Sequence, residues 1–212
     1  MKRPPVMLFW SSGKDSAWAL YQLKKQGYSV QVLLTTFSEA KRQVPYHEVG
    51  IEWVRLQAAA AGILLWEVPI PFPCDNTTYE TILTEIFIRA FRQGIRYVAF
   101  GDLYLRDVRE YRARLVEQGG LKALFPIWLE NPQDSWKMAH TLIKGGIQAV
   151  ITWADPVYFP DFKPATLYDE DWLTSLPAGV DPCGERGEFH TFCFGGPLFK
   201  TPLRVPFGSK DA

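Results

Sequence analysis

Short apolar runs alternate with segments of helical character along most of this chain, and that alternation narrows the possible folds more than any other feature. Val6 to Trp10 (VMLFW), Val30 to Thr36 (VQVLLTT), Leu64 to Val68 (LLWEV) and Tyr97 to Phe100 (YVAF) are each of strand length. Ala17 to Gln26, about His47 to Ala61, and Thr78 to Gln93 read as helices closed by Gly27, Gly62 and Gly94. Strands separated by helices imply a parallel sheet covered on both faces. Pro69-Ile70-Pro71-Phe72-Pro73 excludes regular helix or central strand at that point. Further helices are predicted from Asp107 to Gln118 and Gln133 to Lys144, with an extended segment at Phe125 to Trp128 and a strand at Ala149 to Trp153. Beyond Pro156 the alternation gives way to aromatic, proline-rich sequence, a helical patch around Glu170 to Leu176, and the strand-like HTFCF at 190–194. The fold class is therefore α/β: a Rossmann-like parallel sheet with helices on both faces over residues 1–128, and a smaller C-terminal α+β domain over residues 129–212.

In an open α/β sheet, ligands bind at the carboxyl ends of the strands, where the first loop meets a helix N-terminus with unpaired N–H groups. The first strand here stops at Ser11-Ser12-Gly13-Lys14-Asp15-Ser16. That loop offers hydroxyls, a glycine that lets backbone approach closely, and a cation, all suited to an anion. Asp15 fits as a partner of the helix dipole or, beside a polyphosphate, as a Mg2+ ligand. An ordinary capped turn uses the same residue types. The loop has neither G-x-x-x-x-G-K-[ST] nor G-x-G-x-x-G spacing. Gly101-Asp102, after the fourth strand, reaches the same edge.

A second loaded stretch is Asp181-Pro182-Cys183-Gly184-Glu185-Arg186-Gly187-Glu188-Phe189-His190-Thr191-Phe192. Gly184 and Gly187 permit sharp turns that aim carboxylates, a guanidinium and an imidazole inward, and His190 is of a type that can serve near neutral pH. The plain alternative is a β-hairpin with a charged tip. Arg109, Arg112 and Arg114, set against Asp107, Glu110 and Glu117, read as a solvated helix face.

With 212 residues, 47% of them hydrophobic, the chain can bury a sizeable core, and its eight Trp and fourteen Phe read as core and pocket walls. Twenty-three basic and 23 acidic residues cancel, which argues against nucleic acid or a membrane surface as partner. No stretch is long enough to span a bilayer, and a cytoplasmic location is expected. Cys74, Cys183 and Cys193 fit a reducing compartment. Cys183, His190 and Cys193 lack the close cysteine pair and fourth ligand of a zinc site.

The loop SSGKDS resembles the S-G-G-x-D-S loop of PP-loop ATP pyrophosphatases, with Ser12 in place of the first glycine, a mild change if its φ stays negative. Together with FGDLYLRDVREYRARL, LFPIW and GERGEFHT, it resembles the diphthine-ammonia ligase family of PP-loop enzymes over nearly the whole chain. In that family the late motif reads G-E-x-G-E-[FY], matched by Gly184, Glu185, Gly187, Glu188 and Phe189. His47 stands where the family carries a His ahead of its L-Q-A segment. The resemblance implies an adenine nucleotide α-hydrolase (HUP-type) fold and ATP with Mg2+. The nucleotide would be bound by Ser11, Ser12, Gly13, Lys14, Asp15, Ser16, Thr36, His47, Gly101 and Asp102. It also implies adenylylation of a carboxylate, borne in the family by a modified protein histidine, with release of AMP and pyrophosphate and then attack by ammonia. Loop N–H groups, Lys14 and Mg2+ would neutralise the pyrophosphate. Glu188 or His190 would act as general base, Glu185 would position ammonia or hold metal, and Arg186 would clamp the carboxylate. The chain departs from the family in its longer 101–109 segment and in ending without the extra C-terminal domains of eukaryotic members. Two other readings are a tRNA-modifying PP-loop enzyme, which the charge balance and the absence of a cysteine pair oppose, and a nucleotide-binding sensor without chemistry.

Overall fold

The computed structural model describes residues 5–204. Strand β1 (Pro5–Phe9) is followed by helix α1 (Lys14–Lys25) and β2 (Ser29–Ser38). A small hairpin of β3 (Gln43–Val44) and β4 (Val49–Gly50) leads into α2 (Ile51–Ala61), β5 (Leu64–Ile70) and α3 (Asn76–Arg92). Then come β6 (Tyr97–Ala99), α4 (Arg106–Gln118), β7 (Lys122–Leu124), a 3-10 turn at Pro132–Asp134 and α5 (Ser135–Lys144). The chain finishes with β8 (Gln148–Ala154), β9 (Thr166–Leu167), α6 (Glu170–Ser175) and β10 (Phe189–Gly195).

The five longer βα strands pair in parallel in the order β5-β2-β1-β6-β7, and the β3–β4 hairpin joins antiparallel at the far end of β2. From β1 the chain winds outward through β2 to β5, then crosses back to β6 beside β1. The sheet therefore has its switch point between β1 and β6, where loops diverge and leave a crevice. Period-two alternation explains the two covered faces. Val6, Leu8 and Trp10 point into one buried cluster with α1 and α2, while Met7 joins Val98, Phe100 and Phe87 in the other, beneath α3 and α4.

The second sheet is antiparallel, ordered β10-β8-β9. Its Ile151, Phe192 and Cys193 lie in the same buried cluster as Trp18 and Leu20 of α1 and Leu142 of α5. The C-terminal part is thus packed on one face of the parallel sheet through shared apolar surface, the force that fixes such layers.

Several local expectations are corrected. The helix expected from His47 begins only at Ile51, because Tyr46 and Glu48 have φ of 66° and 55° and the flanking valines pair in the β3–β4 hairpin. The segment expected to be extended at Phe125–Trp128 has Pro126 and Ile127 in a turn, and the strand there is Lys122–Leu124. Pro69 is inside β5, tolerated because β5 is an edge strand bonded only to β2. Helix α1 starts at Lys14 rather than Ala17, which brings Lys14, Asp15 and Ser16 into its first turn.

Candidate functional site

β1 carries the chain to the switch point, and the loop after it is held from below and from the side. Thr35 Oγ1 donates to the Trp10 carbonyl at 2.7 Å. The Ser12 carbonyl accepts from Cys193 N at 2.9 Å and from Gln57 Nε2 at 3.0 Å. Gln57, fully buried, also donates to the Cys193 carbonyl at 2.7 Å and accepts from Trp10 Nε1 at 2.8 Å. Lys14 N donates to Thr191 Oγ1 at 3.0 Å, and Ser16 Oγ to the Gly13 carbonyl at 2.9 Å. The φ of Ser12 is +73°, so the condition of a negative φ, under which serine would be a mild replacement for the glycine, is not met. The left-handed conformation accompanies the double-accepting carbonyl, and Ser12 Oγ is left buried with no partner. Gly101 is required by close approach: a Cβ there would stand 3.0 Å from Asp15 C and Ser16 N.

The charged groups around the loop are sorted by burial. The Lys14 ammonium is 2% exposed, bonds to the Cys183 carbonyl and to Asp15 Oδ2, and lies 5.2 Å and 5.4 Å from the Tyr168 and Phe189 ring centres. Burial is the largest single influence and pulls its pKa down, but Asp15, through charge and hydrogen bond, together with Cys183 and Glu185 outweighs it, so the ammonium is held above its ordinary value. Burial raises the Asp15 and Asp102 carboxyls above the ordinary range. Asp15 Oδ1 and Asp102 Oδ2 are buried without a hydrogen bond, although Arg112 Nε forms an off-line ion pair with the latter at 3.1 Å. Glu185 Oε1 accepts from Leu103 N at 2.7 Å, and burial, reinforced by Asp15, pushes its carboxyl up to about 8.

The stretch 181–188 is a run of turns organised by Asp181 rather than a hairpin. Asp181 Oδ1 accepts from Ser135 Oγ and Cys183 N, and Oδ2 from the Tyr104 hydroxyl at 2.8 Å. Gly184 and Gly187 take the positive φ such turns need. Glu188 is turned into this loop: Oε1 accepts from Asp181 N at 2.9 Å and from the Arg186 guanidinium, and Oε2 from Arg186 N. Glu188, expected to face an acceptor, and Arg186, expected to clamp a carboxylate ligand, are paired with each other in the structure. The two imidazoles are in contact at a tilt of 39°, with His47 and His190 ring centres 4.7 Å apart. Burial lowers His47 to about 3, with His190 adding to the effect, and lowers His190 to about 4. Both are neutral near pH 7.

Two adjoining cavities, of about 540 Å³ and about 760 Å³, open over this surface. Of the residues singled out from sequence, Ser11, Lys14, Asp15, Ser16, Thr36, His47, Gly101, Asp102, Glu185 and His190 line the smaller one. Ser12 and Gly13 shape its floor through backbone, and Glu188 does not reach it. The larger cavity is walled by the β3–β4 hairpin, Phe72, the start of α4, Trp153 and the 185–190 segment. Sequence reasoning misses Gln57 and gives Asp181 and Thr191, both within the 181–192 stretch, no role of their own, and Arg112, read as a solvated residue, lines both cavities. Gln57 had one signal, a polar residue on the apolar face of α2. Among the described residues no three His, Cys, Asp or Glu side chains are arranged to hold a metal ion, so Cys183, His190 and Cys193 do not form a cluster. No helix among them is long and apolar enough to cross a membrane.

Comparison with known proteins agrees with this architecture. Proteins named diphthine–ammonia ligase from Bos taurus, Homo sapiens and Mus musculus are each 26% identical over 219 aligned residues, covering 92% of this chain and 80% of theirs. Residues 4–123, which hold the parallel sheet, the SSGKDS loop and Gly101-Asp102, match the family described as diphthamide synthase N-terminal domain, and the chain belongs to that family.

Proposed function

We propose that this chain is an ATP-dependent ligase of the PP-loop type, which adenylylates a carboxylate and passes the acyl group to ammonia. The observation that carries the reading is the meeting of two cavities at the switch point. The smaller is floored by a phosphate-type loop at a helix N-terminus, and the larger is open to a second reactant. The name shared by the three mammalian relatives supports amide formation from ammonia, and a modified protein histidine is the acceptor that this name suggests.

In this reading ATP lies in the smaller cavity with its pyrophosphate on Ser11, the loop N–H groups and Ser16. The acceptor carboxylate enters from the larger cavity and attacks the α-phosphorus. A carboxylate oxygen–phosphorus bond forms, the bond to the α,β-bridging oxygen breaks, and pyrophosphate leaves. Asp15 Oδ1, buried without a hydrogen bond, and Asp102, whose Oδ2 is met only by the off-line ion pair with Arg112, fit a hard cation that takes its remaining ligands from phosphate and water. Bound there, Mg2+ would supply charge neutralisation for the leaving pyrophosphate. Glu185, with its raised carboxyl, suits removal of a proton from an ammonium ion or the attacking amine at slightly alkaline pH. Neutral His190 supplies a ring face and a hydrogen bond rather than charge. Glu188 acts by shaping the loop that carries Glu185.

The test is the identity of the nucleotide products. ATP, Mg2+ and ammonium incubated with the protein and candidate carboxylates should yield AMP and pyrophosphate, lost in Asp15→Ala. ADP with phosphate would overturn the reading, and tight ATP binding without turnover across the acceptors would favour a sensor.

A further inference from the structure

We propose that Arg112 is the residue that holds the α-phosphate, at the point where the two cavities meet. This rests on the nucleotide assignment above and adds a role to a side chain whose sequence context suggested only a solvated helix face.

Three observations converge. First, the lysine of the loop is already committed. Its ammonium is buried against the Cys183 carbonyl, the Asp15 carboxylate and two aromatic rings, so it braces the late segment against the loop. Second, among the described residues that line both cavities, Arg112 alone bears a permanent positive charge, His190 being held neutral by burial. The other cations of the larger cavity have partners of their own: Arg186 is bound to Glu188 and the Gly179 carbonyl, and the Lys41 ammonium lies 5.9 Å from the Phe72 ring centre. Third, the guanidinium is oriented before any ligand arrives. It lies 4.7 Å from the Phe100 ring centre and 5.9 Å from that of Phe9, and its Nε is fixed by Asp102. The terminal amino groups make no hydrogen bond to the described protein and are left for a ligand. A stacked guanidinium anchored through Nε presents its outer edge in the geometry that grips two phosphate oxygens.

The group that must occupy the join is set by the reaction. With the pyrophosphate on the loop and the acceptor in the larger cavity, the α-phosphate is the part of ATP that faces both. Charge develops on its non-bridging oxygens and on the acyl phosphate that follows, and a preformed cation there lowers the barrier to adenylate formation.

The experiment compares adenosine 5′-monophosphate with adenosine by calorimetric titration of the wild-type protein, Arg112→Met and Arg112→Lys. Met keeps the apolar stem between the rings, and Lys keeps the charge without the fork. Arg112→Met should bind AMP about 10- to 100-fold more weakly while adenosine affinity stays within about two-fold, and Arg112→Lys should fall between. A structural role for Arg112 would weaken both ligands alike, so equal loss for both, or no loss for AMP, overturns the assignment. If Arg112→Met fails to give a cooperative thermal transition, the Lys variant carries the test, and an AMP-to-adenosine preference unchanged from wild type overturns it. A wild-type protein that binds neither ligand defeats the nucleotide assignment itself, which separates that failure from a failure of Arg112 alone.

Discussion

Gln57 ties three distant segments together, and its removal has a magnitude that follows from its bonds. In Gln57→Leu the side-chain volume is nearly kept, so no large cavity forms, but three hydrogen bonds are lost. Trp10 Nε1 loses its acceptor, and leaving a buried donor unpaired costs about 1–3 kcal/mol. The Ser12 carbonyl keeps its bond from Cys193 N, so losing the amide donor there costs nearer the usual net value of about 1 kcal/mol, and losing the donor at the Cys193 carbonyl costs at least that much. The expected destabilisation is about 3–5 kcal/mol. For a chain of this size that corresponds to a fall in Tm of about 10 °C. The assay is reversible denaturant unfolding with the double-mutant cycle Trp10→Phe, Gln57→Leu and both. Because Trp10→Phe removes the donor that Gln57→Leu would strand, the double variant should be less destabilised than the sum of the singles by at least about 1 kcal/mol. ATP affinity should fall as well, since Ser12 no longer has the support that goes with its left-handed backbone. A Gln57→Leu protein within about 1 kcal/mol of wild type, or strict additivity in the cycle, would refute the argument that this network holds the loop.

Other consequences can be checked with the same preparations. Ser12→Gly should leave stability unchanged or raise it by up to about 1 kcal/mol in chemical denaturation, because φ is +73° and the hydroxyl it removes is buried without a partner. Glu188→Gln should lower stability by about 1–2 kcal/mol through loss of the charged pair with half-exposed Arg186, and leave the pH profile of product formation unshifted; a shift would return Glu188 to the chemistry. Burial raises Glu185 from 4.5 to about 8, so the folded state keeps a proton that the unfolded chain has released between those values. Its stabilising contribution is complete below 4.5 and lost as pH rises through 8, and Glu185→Gln should flatten that fall in a pH series of unfolding midpoints. His47 works in the other direction. Lowered from 6.5 to about 3, it contributes stability fully above 6.5 and loses it as pH falls through 3, so His47→Gln should be more resistant to acid relative to its own neutral-pH value.

The sequence determined the parallel α/β core and the position of the loop, because both are written in local terms. Apolar runs of strand length, helical segments closed by glycine, and a cluster of small and charged residues after the first strand each act within a few residues. The same locality explains the misplaced helix start. Nothing between Pro45 and Gly50 signals that Val44 and Val49 will pair with each other and place His47 in a turn over the loop. The site's working arrangement was decided by tertiary structure alone. Lys14 N meets Thr191 across 177 positions, His47 meets the Thr191 carbonyl across 144, and Gln57 meets Cys193 across 136. No propensity or period operates over such separations. The docking of the second sheet onto α1 and α2 turned Lys14 inward as a brace, directed Glu188 into its own loop, and left Arg112 the permanent cation at the join. Burial and the partners present in the fold, rather than residue type, fixed which charged groups remained free to meet a ligand.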